Sequence, residues 1–195
     1  MATDARSTES QIAPPASPVL SPVKLGYREY CCFPDDGRRH EIIDGDHYVN
    51  PAPSTYHQTV SRRLQHQLYT QIELTGRGVV YNAPCDVQLT DHDIVQPDLA
   101  VVLTSRMQMI TPTKIKGVPD LLVEILSPST ASNDATLKKQ PYERVGVAEY
   151  WIVDPDNHTV EQFVLTDGRY ARRPDAGLIP LSILEGVAVR LADVW

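Results

Sequence analysis

Cysteine is scarce in this chain, whose 195 residues include only Cys31, Cys32 and Cys85. An odd count cannot form a closed disulfide framework, and the adjacent pair Cys31-Cys32 lacks the two-residue gap of a zinc or redox motif. We therefore expect reduced thiols in a cytoplasmic protein. Long apolar runs are missing too, because no stretch approaches the ~18 residues of a membrane span. Polar and proline residues stand where a signal peptide would carry its apolar region.

Basic residues are outnumbered: Lys and Arg total 18 against 25 Asp and Glu, and the formal net charge at pH 7 is -7. This balance argues against a protein that holds nucleic acid mainly through a basic surface, because that binding depends on neutralising phosphates. It leaves room for an enzyme that acts on nucleic acid through bound metal in a locally basic cleft. Aromatic residues are also few, at 7%, which argues against a sugar-stacking cleft.

The length and the 42% share of hydrophobic residues suit one domain with a full core. Residues 1–22 differ from the rest, because they are rich in Ser, Thr, Ala and Pro. Such a segment cannot bury enough apolar surface to offset its ordering entropy. We predict a flexible N-terminal tail over 1–22 and a single domain over 23–195.

The most informative segment is the apolar run Leu121–Leu126, which Glu124 interrupts. Alternation along a strand divides this run between two faces, with Leu122, Glu124 and Leu126 on one and Leu121, Val123 and Ile125 on the other. A carboxylate between Val and Ile in a buried strand is costly unless a cation, a proton or a hydrogen bond compensates it. Glu124 is therefore the first candidate for chemistry.

Asp98 stands at the entrance of a second apolar strand, in the segment Ile94–Leu103. If the two strands are neighbours in a sheet, Asp98 and Glu124 come together, and paired carboxylates are typical ligands of a hard cation such as magnesium. The alternative is structural: Asp98 caps a turn after Pro97, and Glu124 pairs with an Arg or Lys.

A third acidic residue, Glu41, lies in a predicted hairpin. Asp44-Gly45 separates two short strand-like stretches, which is a strong hairpin signal. Glu41 falls in the first of the two strands.

Ser54 is a plausible N-cap of the longest helix. Its apolar stripe is formed by residues that recur every four positions: Tyr56, Val60, Leu64, Leu68 and Ile72. His57 lies near the helix start, which favours anions, and could approach a phosphate or a metal cluster there. The alternative for His57 is a surface position on an amphipathic helix.

Further along the chain, a helix is predicted over 134–144 despite Pro141. The turn Asp91-His92-Asp93 is expected to be exposed to solvent. Strands are predicted near residues 79–82, 86–89, 98–103, 121–126, 149–154, 159–165 and 186–191.

Several of these motifs occur in an order and spacing that is more specific than any one of them. They are Glu41-Ile42-Ile43-Asp44-Gly45, Pro51-x-Pro53 with His57, Pro97-Asp98-Leu99, Val123-Glu124-Ile125-Leu126-Ser127-Pro128, Asp134-x-x-x-Lys138-x-x-x-Tyr142, and Gly146-Val147-x-Glu149-Tyr150-Trp151-Ile152-Val153-Asp154-Pro155. Over roughly 27–170 this series resembles the Uma-two family of putative restriction endonucleases, within the PD-(D/E)XK nuclease superfamily.

The resemblance implies an α/β (α+β) fold: a restriction-endonuclease-like mixed β-sheet flanked by helices, with the active site where the central strands diverge. It implies that Asp98 and Glu124 are catalytic and hold metal, Mg²⁺ or Mn²⁺, and that Glu41 completes the metal cluster. The superfamily expects a lysine two positions after the second acid, but this chain has Leu126 there.

In this family the lysine is displaced to the following helix, where Lys138 fits. A lysine ammonium near the metal can position the attacking water and offset charge on the scissile phosphate. Lys139 is the competing candidate. A surface salt bridge with Asp134, at i and i+4, is the structural alternative for Lys138.

The leading hypothesis is therefore a metal-dependent endonuclease that hydrolyses phosphodiester bonds, with DNA as the expected substrate. The alternative is a catalytically inactive nuclease-like module that binds nucleic acid or a protein. A two-carboxylate glycosidase with Asp98 and Glu124 as acid and base is a third hypothesis. We also expect that a homodimer could form through an exposed strand edge.

Overall fold

The structure is a computed structural model that describes residues 23–127, 134–174 and 176–195, without the side chains of 134–136. The predicted tail, 1–22, lies outside the described residues, so this division of the chain stays a prediction. The helices are α1 Tyr27–Tyr30, α2 Thr55–Leu68 and α3 Asp134–Val145, with a π-helical turn Tyr69–Glu73 after α2 and 3₁₀ turns Thr104–Met109 and Leu191–Asp193. Strands β1 to β13, in chain order, are Arg39–Ile43, Asp46–Asn50, Gly78–Asn82, Val87–Gln88, Ile94–Val95, Leu99–Leu103, Ile115–Lys116, Leu121–Ile125, Glu149–Asp154, Thr159–Thr166, Arg169–Arg173, Leu178–Pro180 and Ala188–Arg190.

The strands form two main sheets and a small one. The larger sheet has the order β11-β10-β9-β8-β6-β3, the second has the order β2-β1-β5-β4-β7, and β12 pairs with β13. In the larger sheet β8 and β9 are parallel, with α3 between them in the chain, while the other neighbours are antiparallel. The predicted mixed sheet flanked by helices is confirmed.

The hairpin β1–β2 forms where Asp44-Gly45 predicts it. Asp44 has a φ of 51° and Gly45 a φ of 83°, and this left-handed pair suits the right-handed twist of the two strands. The register pairs Glu41 with Tyr48 and fixes which face of β1 each residue occupies.

Helix α2 begins as predicted, because the Ser54 hydroxyl accepts a hydrogen bond from the backbone N–H of His57 at 3.1 Å. Val60 and the three apolar residues that follow at four-residue intervals are fully buried. Tyr56 is an exception: it is 38% exposed. On a helix, residues four positions apart are rotated by about 40° around the axis. Tyr56 is four such steps before Ile72, a rotation of about 160°, and therefore falls outside the buried stripe.

The strands that carry the predicted acids are direct neighbours. β6 and β8 pair antiparallel with Leu99 opposite Val123, which places Asp98 beside Glu124 at the same end of the sheet. The predicted alternation in β8 is confirmed: Leu121, Val123 and Ile125 join the core under α2, whereas Leu122 packs with Tyr142 and Tyr150 on the other side. Glu124 therefore lies on the side of the sheet that faces α3.

One expectation about local structure is wrong, and one strand had not been predicted. Asp93 is buried rather than exposed, because its carboxylate accepts hydrogen bonds from the Asp44 backbone N–H at 2.8 Å and the Thr90 hydroxyl at 2.8 Å. The edge strand β11 was not predicted, since its sequence Arg169–Arg173 has no apolar alternation and its pairing with β10 is what holds it. Among the described helices, none is long and apolar enough to cross a membrane.

Candidate active site

The centre of the site is a buried lysine between two glutamates. The Lys138 Nζ donates hydrogen bonds to Glu41 Oε1 at 2.9 Å and to both carboxylate oxygens of Glu124, at 3.0 and 3.1 Å. The three residues come from α3, β1 and β8, and all are nearly inaccessible to solvent. One ammonium thus serves two carboxylates, and this group of three keeps a net negative charge when all are ionised.

Glu41 is held by the backbone and side chains around it. Its Oε2 accepts a hydrogen bond from Asn50 Nδ2, and its Oε1 accepts one from the backbone N–H of Gln96, each at 2.6 Å. Burial by itself would raise the pKa of Glu41, but the Lys138 charge and these hydrogen bonds outweigh it and lower the pKa. Glu41 is therefore a fixed anion that orients Lys138.

For Glu124, the effects that raise the pKa outweigh those that lower it. Burial raises its pKa to about 8, repulsion from Glu41 and Asp98 adds to this, and attraction to Lys138 opposes it. The Tyr142 hydroxyl donates a further hydrogen bond to Glu124 Oε1 at 2.8 Å. The pKa of Lys138 is raised, because the two carboxylates overcome the effect of its burial. Lys138 therefore stays protonated at neutral pH.

Asp98 forms a second charged group beside the first. Its Oδ1 accepts a hydrogen bond from Arg39 Nη1 at 2.9 Å, and its Oδ2 accepts one from the backbone N–H of Ile125 at 2.8 Å. His57 Nε2 lies 3.2 Å from the same Oδ2. Burial opposes ionisation of Asp98, but the partners His57, Arg39 and Ile125 together lower its pKa.

His57 is buried, so its alternative assignment as a surface residue is wrong. Its Nε2 faces two acceptors, Asp98 Oδ2 and the Ile125 carbonyl oxygen at 3.1 Å, and we therefore assign the hydrogen to Nε2. The other ring nitrogen, Nδ1, is buried and has no hydrogen-bond partner among the described residues. His57 thus fixes Asp98 and keeps one nitrogen uncommitted.

The two charged groups share a small cavity that adjoins a larger cleft. The cavity has a volume of about 20 Å³, which is room for one water molecule or one ion, and Asp98, Glu124, Ile125 and Lys138 are among its lining residues. The cleft, of about 400 Å³, is lined in part by Arg39, His57 and Asp98, which also line the cavity. The carboxylates can therefore be reached from the surface through the cleft.

Comparison with known proteins identifies the family of the chain. The sequence model of the Uma2 family, described as "Putative restriction endonuclease", matches residues 27–192. The chain belongs to the Uma2 family. None of the curated proteins compared with it is significantly similar.

A solved structure shows the same fold. It is the crystal structure of a putative nuclease belonging to DUF820 from Anabaena variabilis, which superposes with a TM-score of 0.72 and is 21% identical. The match covers 87% of this chain and 97% of that one. The Uma2 chain thus shares a nuclease-like architecture along nearly the whole length of that protein.

The donor atoms around the cavity fit a hard divalent cation. Carboxylate oxygens of Asp98 and Glu124 and the carbonyl oxygen of Ile125 are the oxygen ligands that Mg²⁺ prefers. Within the described ranges, no three His, Cys, Asp or Glu side chains are arranged to hold a metal by themselves. The role of Glu41 as a third metal ligand beside Asp98 and Glu124 therefore stays a prediction, and the contacts that the structure gives Glu41 are with Lys138, Asn50 and Gln96.

The structure separates the two lysine candidates. Lys138 is in the site, whereas the Lys139 Nζ lies 3.8 Å from the centre of the Phe163 ring. The proposed salt bridge of Lys138 with Asp134 involves a side chain outside the described part, and the observed partners of Lys138 are Glu41 and Glu124. The catalytic role of Lys138 stays a prediction.

Sequence reasoning missed several residues of the site. Arg39 could have been found, because it lies two positions before Glu41 and residues i and i+2 of a strand share a face. Tyr142 appears in the sequence only as the last residue of the motif with Lys138, and the structure shows that it is fully buried and that its hydroxyl binds Glu124. Asn50 and Gln96 carry no sequence signal, since their contacts with Glu41 depend on how β1 pairs with β2 and β5.

Proposed function

We propose that this chain is a metal-dependent endonuclease that hydrolyses phosphodiester bonds in DNA. The observation that carries the proposal is the position of Asp98 and Glu124, which lie on neighbouring central strands and line one ion-sized cavity beside an accessible cleft. The membership of the Uma2 family supports the same class of reaction.

Asp98 and Glu124 would hold Mg²⁺ or Mn²⁺, together with the Ile125 carbonyl oxygen. When bound, the ion supplies Lewis acidity: it polarises a phosphoryl oxygen and lowers the pKa of a bound water. Because burial raises the pKa of Glu124 to about 8, this carboxylate has to lose its proton before it can act as a ligand.

Lys138 acts as a positive charge and a hydrogen-bond donor rather than as a base. Its raised pKa keeps the ammonium protonated, so it cannot accept a proton from the attacking water at neutral pH. Its reach into the cavity lets it orient that water and offset the charge that develops on the phosphate. Glu41 holds the amine in place through the hydrogen bond at 2.9 Å.

Arg39 would bind the substrate phosphate at the entrance to the cavity, and His57 would bind a water on that phosphate. Both line the cleft, and each has a nitrogen that is buried without a hydrogen-bond partner in the described part of the chain: Arg39 Nε, which can donate to a phosphate oxygen, and His57 Nδ1, which can accept from the water. A guanidinium suits this task, because its planar array of N–H groups matches phosphate oxygens.

The test is cleavage of supercoiled plasmid and of single-stranded DNA with Mg²⁺, with Mn²⁺ and with EDTA. We expect metal-dependent nicking by the wild-type chain and none by Asp98→Asn or Glu124→Gln, two substitutions that keep side-chain volume and remove the charge. Full metal-dependent cleavage by both variants would refute the assignment of the site.

A second candidate is a nuclease-like module that binds nucleic acid or protein without cleaving it. One observation favours it: each carboxylate of the site is already paired with a cation of the chain itself, Glu41 and Glu124 with Lys138 and Asp98 with Arg39. DNA binding that is insensitive to chelator, with no cleavage and no Mg²⁺ uptake in calorimetry, would support this candidate over the endonuclease. A homodimer also stays a prediction, which light scattering can check.

A further inference from the structure

The longest helix carries no acidic residue. The sequence from Pro51 to Ile72 has neither Asp nor Glu, although the whole chain has 25 of them and a net charge of -7. The same segment contains the two arginines Arg62 and Arg63 and two histidines. In an acidic protein this makes α2 a locally basic element next to the candidate active site.

One exposed row of α2 leads away from the cleft. Gln58, Arg62 and His66 are spaced at i, i+4 and i+8, and all three are exposed. Gln58 lines the cleft of about 400 Å³, and Arg62 and His66 line the next depression along the helix, of about 630 Å³. At 1.5 Å per residue the row is about 12 Å long. We call these three residues the α2 row.

The charged members of this row are uncommitted. Neither Arg62 nor His66 makes an ion pair or a side-chain hydrogen bond within the part of the chain that the structure describes. The adjacent Arg63 differs, because its guanidinium donates hydrogen bonds to the carbonyl oxygens of Val194 and Trp195. Arg63 therefore connects α2 to the rest of the protein, whereas the side chains of Arg62 and His66 in the α2 row do not.

A carboxylate near the row is already partnered. Asp193 lines the depression together with Arg62 and His66, but its Oδ2 lies 3.8 Å from Arg190 Nε. The local field along the α2 row is therefore set by Arg62, and an anion is the complementary ligand.

We infer that the α2 row binds the phosphate backbone of the DNA strand whose scissile phosphate enters the cleft. This inference rests on the proposed nuclease function and assigns a surface to its substrate. Along the axis of a duplex one strand advances about 3.4 Å per nucleotide, so a row of about 12 Å that lies along this axis runs past three to four nucleotides. Contacts of this kind position the strand without reading its sequence.

The experiment measures binding of a fluorescein-labelled DNA duplex to the full chain by anisotropy, in EDTA so that no cleavage occurs, over a series of salt concentrations. We expect Arg62→Ala to weaken binding about three- to tenfold and to lower the slope of log K against log[salt] by about 1, as for one lost phosphate contact. Arg62→Lys should keep the slope.

Arg173 provides the matched control. It is an exposed arginine of β11, at the edge of the larger sheet opposite the β3 edge on which α2 packs. Arg173→Ala removes the same charge from the whole protein. It should therefore leave both the affinity and the salt slope at the wild-type values, which separates a local contact from an effect of net charge.

A small substrate distinguishes failure of the inference from failure of the proposed function. Bis(p-nitrophenyl) phosphate carries the scissile phosphate alone, without the neighbouring phosphates that the α2 row would bind, so Arg62→Ala should hydrolyse it at the wild-type rate while its KM for plasmid DNA rises. If Arg62→Ala binds DNA with wild-type affinity and slope while plasmid cleavage continues, the α2 row is not a DNA contact and the nuclease remains. If the wild-type chain neither binds DNA nor cleaves any phosphodiester, both proposals are wrong.

Discussion

The Lys138 Nζ lies 3.0 and 3.1 Å from the two carboxylate oxygens of Glu124, fourteen residues away in sequence. Strand β8 ends at Ile125, and the Lys138 side chain extends from α3 to this strand. Leu126, two positions after Glu124 on the same side of the sheet, instead packs against the apolar cluster around Leu122. The ammonium beside Glu124 therefore comes from a long side chain on the neighbouring helix and not from a residue of β8.

Replacing Lys138 by Met should lower the rate of DNA cleavage about 10²- to 10³-fold, the typical loss on removing one electrostatic contact from a transition state. Lys139→Met is the matched control. Its ammonium lies over the Phe163 ring, outside the site, so cleavage should stay within about twofold of wild type. Equal losses in the two variants would contradict the role of Lys138.

Lys138→Met leaves two buried carboxylates without their ammonium, and such a loss can cost about 3–5 kcal/mol of stability. Its cleavage rate is therefore corrected for the folded fraction measured by circular dichroism. Lys138→Arg keeps the charge and should retain more activity than the Met variant at equal folded fraction.

Mg²⁺ should stabilise the wild-type chain against thermal unfolding. A ligand at about 100 times its Kd contributes about 2.7 kcal/mol to the free energy of unfolding, and differential scanning calorimetry can measure the resulting rise in Tm. Asp98→Asn should abolish this rise. Glu161→Gln, which removes a partly exposed carboxylate on β10, should keep it. A NaCl series at matched ionic strength controls for screening, and an equal rise in NaCl would show that no specific ion is bound.

Tyr142→Phe should both destabilise the chain and reduce its activity. The change removes the hydrogen bond of 2.8 Å to Glu124, and a buried acceptor that is left without its donor costs about 1–3 kcal/mol. Removing a group that hydrogen-bonds to a metal-binding side chain typically lowers activity about 10- to 100-fold. Tyr170→Phe loses a hydroxyl that bonds the Val147 carbonyl outside the site. It should lose stability without a matching loss of cleavage, in urea unfolding and plasmid assays run side by side.

Glu149→Gln should destabilise the chain by about 1–3 kcal/mol in urea unfolding. The Glu149 carboxylate is fully buried and accepts hydrogen bonds from Trp151 Nε1 at 2.6 Å, Gln162 Nε2 at 2.7 Å and the backbone N–H of Ser182 at 2.7 Å. An amide would turn an N–H₂ group toward these donors. Because Ser182 lies between β12 and β13, hydrogen exchange should rise first in this hairpin.

The control for this change is Glu161→Gln, which breaks a surface ion pair with Arg172 at 2.8 Å. Pairs of this kind contribute about 0–1 kcal/mol. A cost for Glu149→Gln no larger than that of Glu161→Gln would show that the buried carboxylate is not needed to hold the C-terminal hairpin.

Mild acid should destabilise the β1–β2 hairpin through His47. Burial and the charge of His40 lower the pKa of His47 below its ordinary value of 6.5. His47 Nε2 lies 2.9 Å from His40 Nδ1, and its ring stacks on Phe33 at 4.1 Å. Below pH 6.5 the unfolded chain therefore takes up more protons at His47 than the folded chain, so stability falls as the pH drops toward the lowered pKa.

Urea midpoints at pH 7.5 and pH 5.5 measure this effect. We expect a smaller difference between the two midpoints in His47→Gln, which keeps a polar side chain and cannot titrate. Both pH values stay above the range in which Asp36 titrates, whose pKa the hydrogen bond from His40 lowers. An unchanged difference in the variant would remove His47 as the cause.

The sequence alone determined the local structure and the acids of the site. The turn at Asp44-Gly45, the cap at Ser54 and the alternation around Glu124 follow from backbone preference and from periods of 3.6 and 2 residues. Each of these signals is contained within a few neighbouring residues. For that reason they predict the hairpin, the start of α2 and the face of β8 that carries Glu124.

Only the tertiary structure decided which groups meet the acids. Whether Lys138 or Lys139 reaches Glu124 depends on how α3 lies against the sheet, and the contact of Arg39 with Asp98 joins residues 59 positions apart. Hydrogen bonds act over about 3 Å, so a small rotation of a helix or a shift of one residue in register changes the partner. Periodicity fixes the face on which a side chain lies, whereas packing between distant elements fixes what it touches.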